Sequence, residues 1–172
     1  MNKLLIVSDS HGLTTELNQI KQRHQVEKLV HCGDSELKNN ATELEDFIAV
    51  KGNCDWQADI PLEEIVEFGG LRFLVTHGHL YHVKTTMLNL QYRAKEVEAD
   101  VIFFGHSHVA YAEQTGNQLF INPGSIRIPK KFSEPSYVIM QWHDPSLVNV
   151  MFYHSKDGQV IDLPYDRQFK IK

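Results

Sequence analysis

Cysteine is almost absent: Cys32 and Cys54 are the only two in 172 residues. A disulfide framework is therefore excluded, and a reducing cytoplasm is the expected compartment. Long apolar runs are missing as well. No stretch nears the roughly 18 residues of a membrane span. Leu4-Leu5-Ile6-Val7 is too short for a secretory leader and leads straight into Ser8-Asp9. Basic charge is in deficit, with 17 Lys and Arg against 22 Asp and Glu and a net charge of −5. That balance speaks against a broad electrostatic footprint for long nucleic acid. Linkers, repeats and low-complexity segments are not seen, so residues 1–172 are expected to form one domain able to bury its own core.

Histidine, by contrast, is abundant. Of ten, five fall in short clusters rich in metal-ligand side chains. The clusters are Asp9-Ser10-His11, Gly33-Asp34, Gly52-Asn53, His77-Gly78-His79 and Gly105-His106-Ser107-His108. Each ends or closely follows an apolar, β-branched run: Leu4–Val7, Lys28–Val30, Phe47–Val50, Phe73–Val75 and Val101–Phe104. Several strands thus deliver oxygen and nitrogen ligands to one sheet edge, the place where ligands gather in α/β sheets. Two hard-to-borderline cations bridged by a carboxylate suit such an edge. Asp9 and His11, two apart, can reach one ion from an extended backbone, a reading favoured over the alternative that Ser8-Asp9-Ser10-His11-Gly12 caps the next helix. Gly33 lets the chain turn sharply before Asp34, and Gly105 does so before His106 and His108. The acidic balance does not exclude phosphate substrates, because bound metal would supply local positive charge.

Strand and helix alternate through the first two-thirds. Lys3–Val7 reads as a buried strand, 14–25 as a helix with Leu17 and Ile20 inward, and Glu27–His31 as the next strand. Residues 43–48 read as a short helical stretch leading into 49–51. Ile65–Phe68, Gly69-Gly70 and Leu71–Thr76 form a predicted hairpin. A long helix is expected over 84–99 and a buried strand over 100–104. Beyond Val109 come short β-type runs at 110–113, 118–121, 136–142, 147–154 and 159–162. This order predicts two mixed sheets packed face to face with helices outside, an α/β/β/α sandwich.

The ordered set Asp9-Ser10-His11, Gly33-Asp34, Gly52-Asn53-Cys54-Asp55, Thr76-His77-Gly78-His79 and Gly105-His106-Ser107-His108 resembles the signature of calcineurin-like metallophosphoesterases. Asn122-Pro123-Gly124-Ser125, the short length and the Gly52-Asn53-Cys54-Asp55 form resemble the small bacterial and archaeal YfcE-like phosphodiesterases of that family. The resemblance runs from Asp9 to Ser125, about two-thirds of the chain. It implies two divalent cations, manganese first, with zinc, iron, nickel and magnesium as alternatives. It assigns Asp9, His11, Asp34 and His108 to one ion and Asp34, Asn53, His77 and His106 to the other, with Asp34 shared. The implied reaction is hydrolysis of a small phosphoester, foremost a phosphodiester, by in-line attack of a metal-bridging hydroxide. Homodimerisation is compatible with the family. A retromer subunit that resembles this group acts as a protein-binding scaffold, so a catalytically weak scaffold is the alternative. All seven ligand positions are filled here, which favours an enzyme.

The chain departs from the family pattern at Cys54, where most relatives carry histidine. A thiol near two cations is expected to drift toward thiolate, which cannot protonate a leaving group. Diesters and aryl esters with good leaving groups are then the expected substrates. His79 is a substitute acid or a supporting imidazole. Neither Ser10 nor Ser107 shows an obvious base partner. Arg127, Lys130 and Lys131 are readable as a solvated loop or as a clamp for the remote part of a substrate, with Arg127 the candidate contact. Tyr81 and His82 are candidates to line the pocket, and Trp56 and Trp142 read as packing residues.

Overall fold

Strand β1 (Asn2–Val7) organises the fold because four consecutive apolar residues, Leu4 to Val7, are all buried. Side chains alternate along a strand. Leu4 and Ile6 therefore enter one core while Leu5 and Val7 enter another. A strand of this kind needs cover on both faces. The computed structural model describes residues 1–56, 58–132 and 134–171.

The first sheet adds β2 (Lys28–His31) and β3 (Phe47–Ala49) in parallel on one side of β1. On the other side it adds β9 (Ser136–Trp142) and β10 (Leu147–His154), both antiparallel to their neighbours. The short strands β11 (Val160–Ile161) and β12 (Gln168–Lys170) pair with β10. The second sheet has β4 (Glu63–Phe68), β5 (Leu71–Thr76), β6 (Val101–Phe103), β8 (Gln118–Pro123) and β7 (Ala110–Thr115), in that spatial order. Here β5, β6 and β8 are parallel, and β4 and β7 close the edges antiparallel.

Three cores stack these elements. The largest joins Leu4, Ile6, Val138 and Met140 of the first sheet to Phe73, Val75, Phe103 and Ile121 of the second. Helix α1 (Thr15–Arg23) covers the outer face of the first sheet with Leu17 and Ile20. Helix α2 (Leu88–Glu96) covers the outer face of the second with Leu90 and Ala94, against Leu74, Ile102 and Phe120. The layer order is helix, sheet, sheet, helix. Burying Leu17 or Ile20 stabilises by on the order of 2 kcal/mol each, far more than the few tenths per residue that helix propensity contributes. No helix among the described residues is long and apolar enough to cross a membrane.

Four local expectations are corrected. Residues 43–48 are not a helix: one 3-10 turn, Thr42–Leu44, is followed by β3. Asp46 turns left-handed at φ 71°, and parallel pairing of Val30 with Ile48 draws the segment into the sheet. Helix α2 starts at Leu88, because Thr85 and Thr86 donate their N–H groups to the His82 carbonyl in a separate turn. It stops at Glu96, where Glu98 is left-handed and Ala99 N–H returns to the Ala94 carbonyl. Trp142 packs in the core, with its indole N–H on the Gly69 carbonyl, but Trp56 is 86% exposed on the turn after Asp55. The sheet also gains β12, whose single buried residue, Phe169, left no alternating pattern to read.

Candidate metal centre

Loops after β1, β2, β3, β5 and β6 meet at one end of the two sheets. Backbone bonds tie them together: Asp9 N–H to the Gly33 carbonyl (3.0 Å), His11 N–H to the Asp34 carbonyl (3.0 Å) and Gly105 N–H to the His77 carbonyl (3.1 Å). Asp9, His11, Asp34, His106 and His108 all have positive φ, between 42° and 66°. Left-handed backbone costs non-glycine residues energy and persists where the surroundings over-determine it, commonly at functional sites. Two glycines permit the close approach. A Cβ on Gly105 would collide with Ser8 Oγ and Asp9 Oδ2, and one on Gly52 would collide with the Asp34 carboxylate and N–H.

The histidine orientations follow from their outer nitrogens. His77 Nδ1 lies 2.7 Å from the Cys32 carbonyl and His108 Nδ1 lies 2.9 Å from the Ile128 carbonyl, so both donate there. His11 Nδ1 sits 2.5 Å from Glu36 Oε1. With Nδ1 donating, each Nε2 turns a lone pair inward. His108 Nε2 lies 3.1 Å from Asp9 Oδ1, His11 Nε2 3.8 Å and His77 Nε2 3.9 Å. His77 Nε2 also lies 3.2 Å from Asp34 Oδ2. Nevertheless Asp9 Oδ1 and His77 Nε2 are buried and make no hydrogen bond among the described residues. Acceptors that converge with no donor between them call for a cation, so this donor set fits divalent metal.

Ligand atoms of Asp9, His11 and His108 lie within 4.8 Å of one another, and so do those of Asp9, Asp34 and His77. Asp9 is common to both groups, and Asp34 joins it in the second. The His106 ring lies 5.2 Å from that of His77, and its N–H donates to Asp9 Oδ2 at 3.1 Å. The His79 ring lies 5.3 Å from His77 and 6.0 Å from His106, and its buried Nδ1 is unpartnered among the described residues. Asn53 is exposed, with its amide donating to Cys54 Sγ at 3.4 Å. Arg127 donates from its guanidinium to the His11 carbonyl and so braces the first loop at the rim of the site. Tyr81 bonds Glu63 instead of facing the cluster, and His82 is an exposed left-handed turn residue.

Charge follows geometry. Burial pushes Asp9 up, but the His108 and His77 imidazoles and the Ser8 hydroxyl outweigh it and hold the carboxyl below its ordinary value. Burial also raises Asp34, but His77 and the Cys54 N–H overcome it and leave the carboxyl well below the usual range. Burial lowers His77, yet Asp34 and Asp9 pull it above the ordinary value. His106 is pushed down to about 4 by burial, then by His77 and Lys84. Burial and the Asp34 carboxylate push the Cys54 thiol up to about 11. The protein itself thus opposes the expected thiolate, and the thiol stays protonated unless cations reverse this.

Several residues quoted in the motifs without an assigned role support the ligand loops. Asp55 is buried and accepts N–H groups from Asp34, Glu36 and Gly52. Asn122 donates to the Gly105 carbonyl and to Ser107 Oγ, both at 3.0 Å, while Ser125 Oγ donates to the Asp9 carbonyl at 2.8 Å. The Asn122–Ser125 turn thereby aligns two ligand loops. Ser10 does have an imidazole partner, His31 Nε2 at 2.8 Å. His31 Nδ1 accepts the Gly33 N–H at 3.2 Å, so Nε2 carries the proton and His31 cannot act as base for Ser10.

Comparisons with known proteins agree with this geometry. Residues 2–144 match the calcineurin-like phosphoesterase superfamily domain. The probable metallophosphoesterase YsnB of Bacillus subtilis is 46% identical over 162 residues, spanning 93% of this chain and 95% of that one. Phosphodiesterase YfcE of Escherichia coli K12 is 29% identical over 167 residues, spanning 80% and 86%. A conserved uncharacterized protein of Streptococcus pneumoniae TIGR4, described as a predicted phosphoesterase, has a crystal structure that superposes with a TM-score of 0.92 at 33% identity, covering 98% of this chain and 97% of that one. Strand-end ligand loops, converging lone pairs and these likenesses agree: the chain belongs to the calcineurin-like phosphoesterases, metal-dependent hydrolases of phosphoesters.

Proposed function

We propose that the protein hydrolyses small phosphodiesters with two divalent cations, manganese foremost. The observation that supports this most directly is the convergence of Asp9 Oδ1 and His77 Nε2, both buried and unpartnered among the described residues, with the Nε2 atoms of His11 and His108. Asp9, His11, Asp34 and His108 would hold one cation, and Asp34, Asn53, His77 and His106 the other, with the Asp34 carboxylate in common. Bound cations supply Lewis acidity, which activates water and offsets charge on the phosphoryl oxygens. The protein's own part is to hold the imidazoles in one tautomer through Cys32, Ile128 and Glu36 and to keep both carboxylates ionised.

Water attacks phosphorus in line with the leaving oxygen, and the bond from phosphorus to that oxygen breaks. Proton delivery to the leaving oxygen is the weak point. Cys54 stands where most relatives carry histidine, and a thiol at about 11 parts with its proton reluctantly. His79, with Nδ1 unpartnered beside His77 and His106, is the alternative donor. Good leaving groups, as in aryl diesters, then suit the site best. The name of the relative YfcE, a phosphodiesterase, agrees with that preference. Both cysteines are free, as befits a reducing cytoplasm.

The scaffold alternative draws only on likeness of fold, since Vps29 of Entamoeba histolytica crystallised with zinc superposes at a TM-score of 0.74 with 18% identity. One assay separates the two readings. An aryl phosphodiester and the matching aryl phosphomonoester are offered with manganese, with chelator, and to Asp34→Asn. Metal-dependent turnover, faster on the diester and lost in Asp34→Asn, is expected. Turnover no higher than that of Asp34→Asn would overturn the enzymatic reading, and faster monoester turnover would overturn the diester preference.

A further inference from the structure

The cavity beside the His106–His108 loop has no part in the reading above. It measures about 360 Å³, within the roughly 300–1,000 Å³ of small-molecule sites. Its walls are Met87, Phe104, Val109 and Tyr111, and Ser107, between the two histidines, joins it to the metal centre. Phe104 and Tyr111 meet edge to face, with ring centroids 6.0 Å apart. Such walls suit a flat apolar ring.

Two cations complete the lining. Lys84 and Lys130 are both exposed, and neither has an ion-pair partner among the described residues. Lys130 is held in place through its backbone, whose N–H donates to the His108 carbonyl at 2.9 Å. Lys84 lines the cavity next to Val83, from the segment that precedes α2. Glu113 accepts the hydroxyl of the wall residue Tyr111 at 2.6 Å. Unpaired ammonium groups over an apolar cavity, next to a phosphoryl site, complement a ring that carries an anionic group of its own.

We propose that this cavity is a subsite for the ester group that remains on phosphorus, and that it takes an aromatic or nucleobase ring bearing a second anionic group. The proposal rests on the phosphodiesterase reading and names the substrate class for it. Lys84 and Lys130 engage the second anion, and Met87, Phe104, Val109 and Tyr111 enclose the ring. A nucleotide phosphorylated at its second sugar hydroxyl has this chemistry, and so does an aryl ester carrying a carboxylate.

Three p-nitrophenyl phosphodiesters test it, each releasing p-nitrophenolate in the presence of manganese. Their second ester groups are methyl, thymidine 5′, and thymidine 5′ with a 3′-phosphate; a carboxyphenyl diester beside its phenyl counterpart forms a further pair. Wild type is expected to show kcat/KM at least ten-fold higher for the 3′-phosphorylated thymidine ester than for the methyl ester. Lys84→Ala combined with Lys130→Ala should cut the advantage of the added anion at least five-fold, and Met87→Trp should cut the advantage of thymidine. A dominant effect on the phosphate pair points to nucleotides, and one on the carboxylate pair to aryl acids; either supports the subsite. Calorimetric binding of thymidine 3′,5′-bisphosphate, weakened at least five-fold in the lysine double variant, gives a readout apart from turnover. Failure to hydrolyse any of the diesters while that lysine-dependent binding persists would overturn the phosphodiesterase reading and leave the subsite standing. Equal kcat/KM across the esters, or a double variant that keeps the full preference and binding, would overturn the subsite.

Discussion

The buried carboxylate of Asp55 accepts the backbone N–H of Asp34 at 2.8 Å. It also accepts the N–H groups of Gly52 and Glu36, each at 2.7 Å. One side chain thus pins the loops after β2 and β3 to each other. Removing it leaves three N–H groups without their acceptor, and an unsatisfied buried donor costs about 1–3 kcal/mol. Asp55→Ala is expected to lose at least ~3 kcal/mol of stability in urea unfolding of the metal-free protein, by the same reasoning. It should also lose roughly ten-fold or more in manganese affinity, the usual scale for such supporting contacts. Asp55→Asn, which keeps one acceptor oxygen, should lie between. A stability loss with unchanged manganese affinity would remove Asp55 from any role in placing Asp34.

The metal-free protein should weaken in mild acid because of His31. Burial pushes this imidazole from about 6.5 down to about 4. Between those values the unfolded chain binds a proton that the folded chain refuses, so stability falls as pH drops. The difference corresponds to about 3 kcal/mol across the window. His77 acts in the opposite sense: raised in the folded state, it stabilises below its unfolded value and ceases to do so as pH climbs through its folded value. Urea midpoints at several pH values between about 7 and 4 should show a shallower acid slope for His31→Gln than for wild type. Identical slopes would rule His31 out as the source.

Gly105→Ala is expected to abolish metal-dependent turnover. Its Cβ would overlap Ser8 Oγ and Asp9 Oδ2, and the Asp9 carboxylate would have to turn away from the cluster. Gly116→Ala is the control, since its φ of 60° is left-handed, as that of Gly105 is not, and open space surrounds it. Gly116→Ala should cost about 1 kcal/mol through its left-handed backbone alone and keep manganese binding, which Gly105→Ala should lose. Equal manganese affinities would show that the overlap is relieved elsewhere.

Cys54→His should restore a proton donor to the loop after β3. The expected gain is largest for esters with poor leaving groups, so a plot of log kcat/KM against leaving-group pKa becomes shallower. Cys54→Ser should leave the slope near that of wild type. A slope indifferent to histidine at this position would assign proton delivery elsewhere, with His79 the first candidate.

Much of the fold was legible because its signals are local. Leu4–Val7, Leu71–Thr76 and Val101–Phe103 are short apolar runs that only a buried strand accommodates, and Gly69-Gly70 marks the hairpin between β4 and β5. The strand β3 and the start of α2 were not legible in this way. Phe47–Ala49 is a strand because it pairs with β2, and the chain before Leu88 turns separately because the His82 carbonyl collects the N–H groups of Thr85 and Thr86. Both outcomes depend on partners distant in sequence or on local geometry that no periodicity encodes.

The sequence by itself determined which side chains could hold cations and that each follows a strand, since residue type and order are covalent facts. Only the tertiary structure decided how they meet. Asp9 Oδ1 lies within 3.9 Å of three imidazoles, Asp55 and the Asn122–Ser125 turn hold the loops in register, and Trp56 lies in solvent while Trp142 is buried. It also decided the state of Cys54, whose thiol is raised by burial and by a carboxylate 20 positions earlier in the chain. Distances between loops arise from packing two sheets face to face, and electrostatic surroundings follow from those distances.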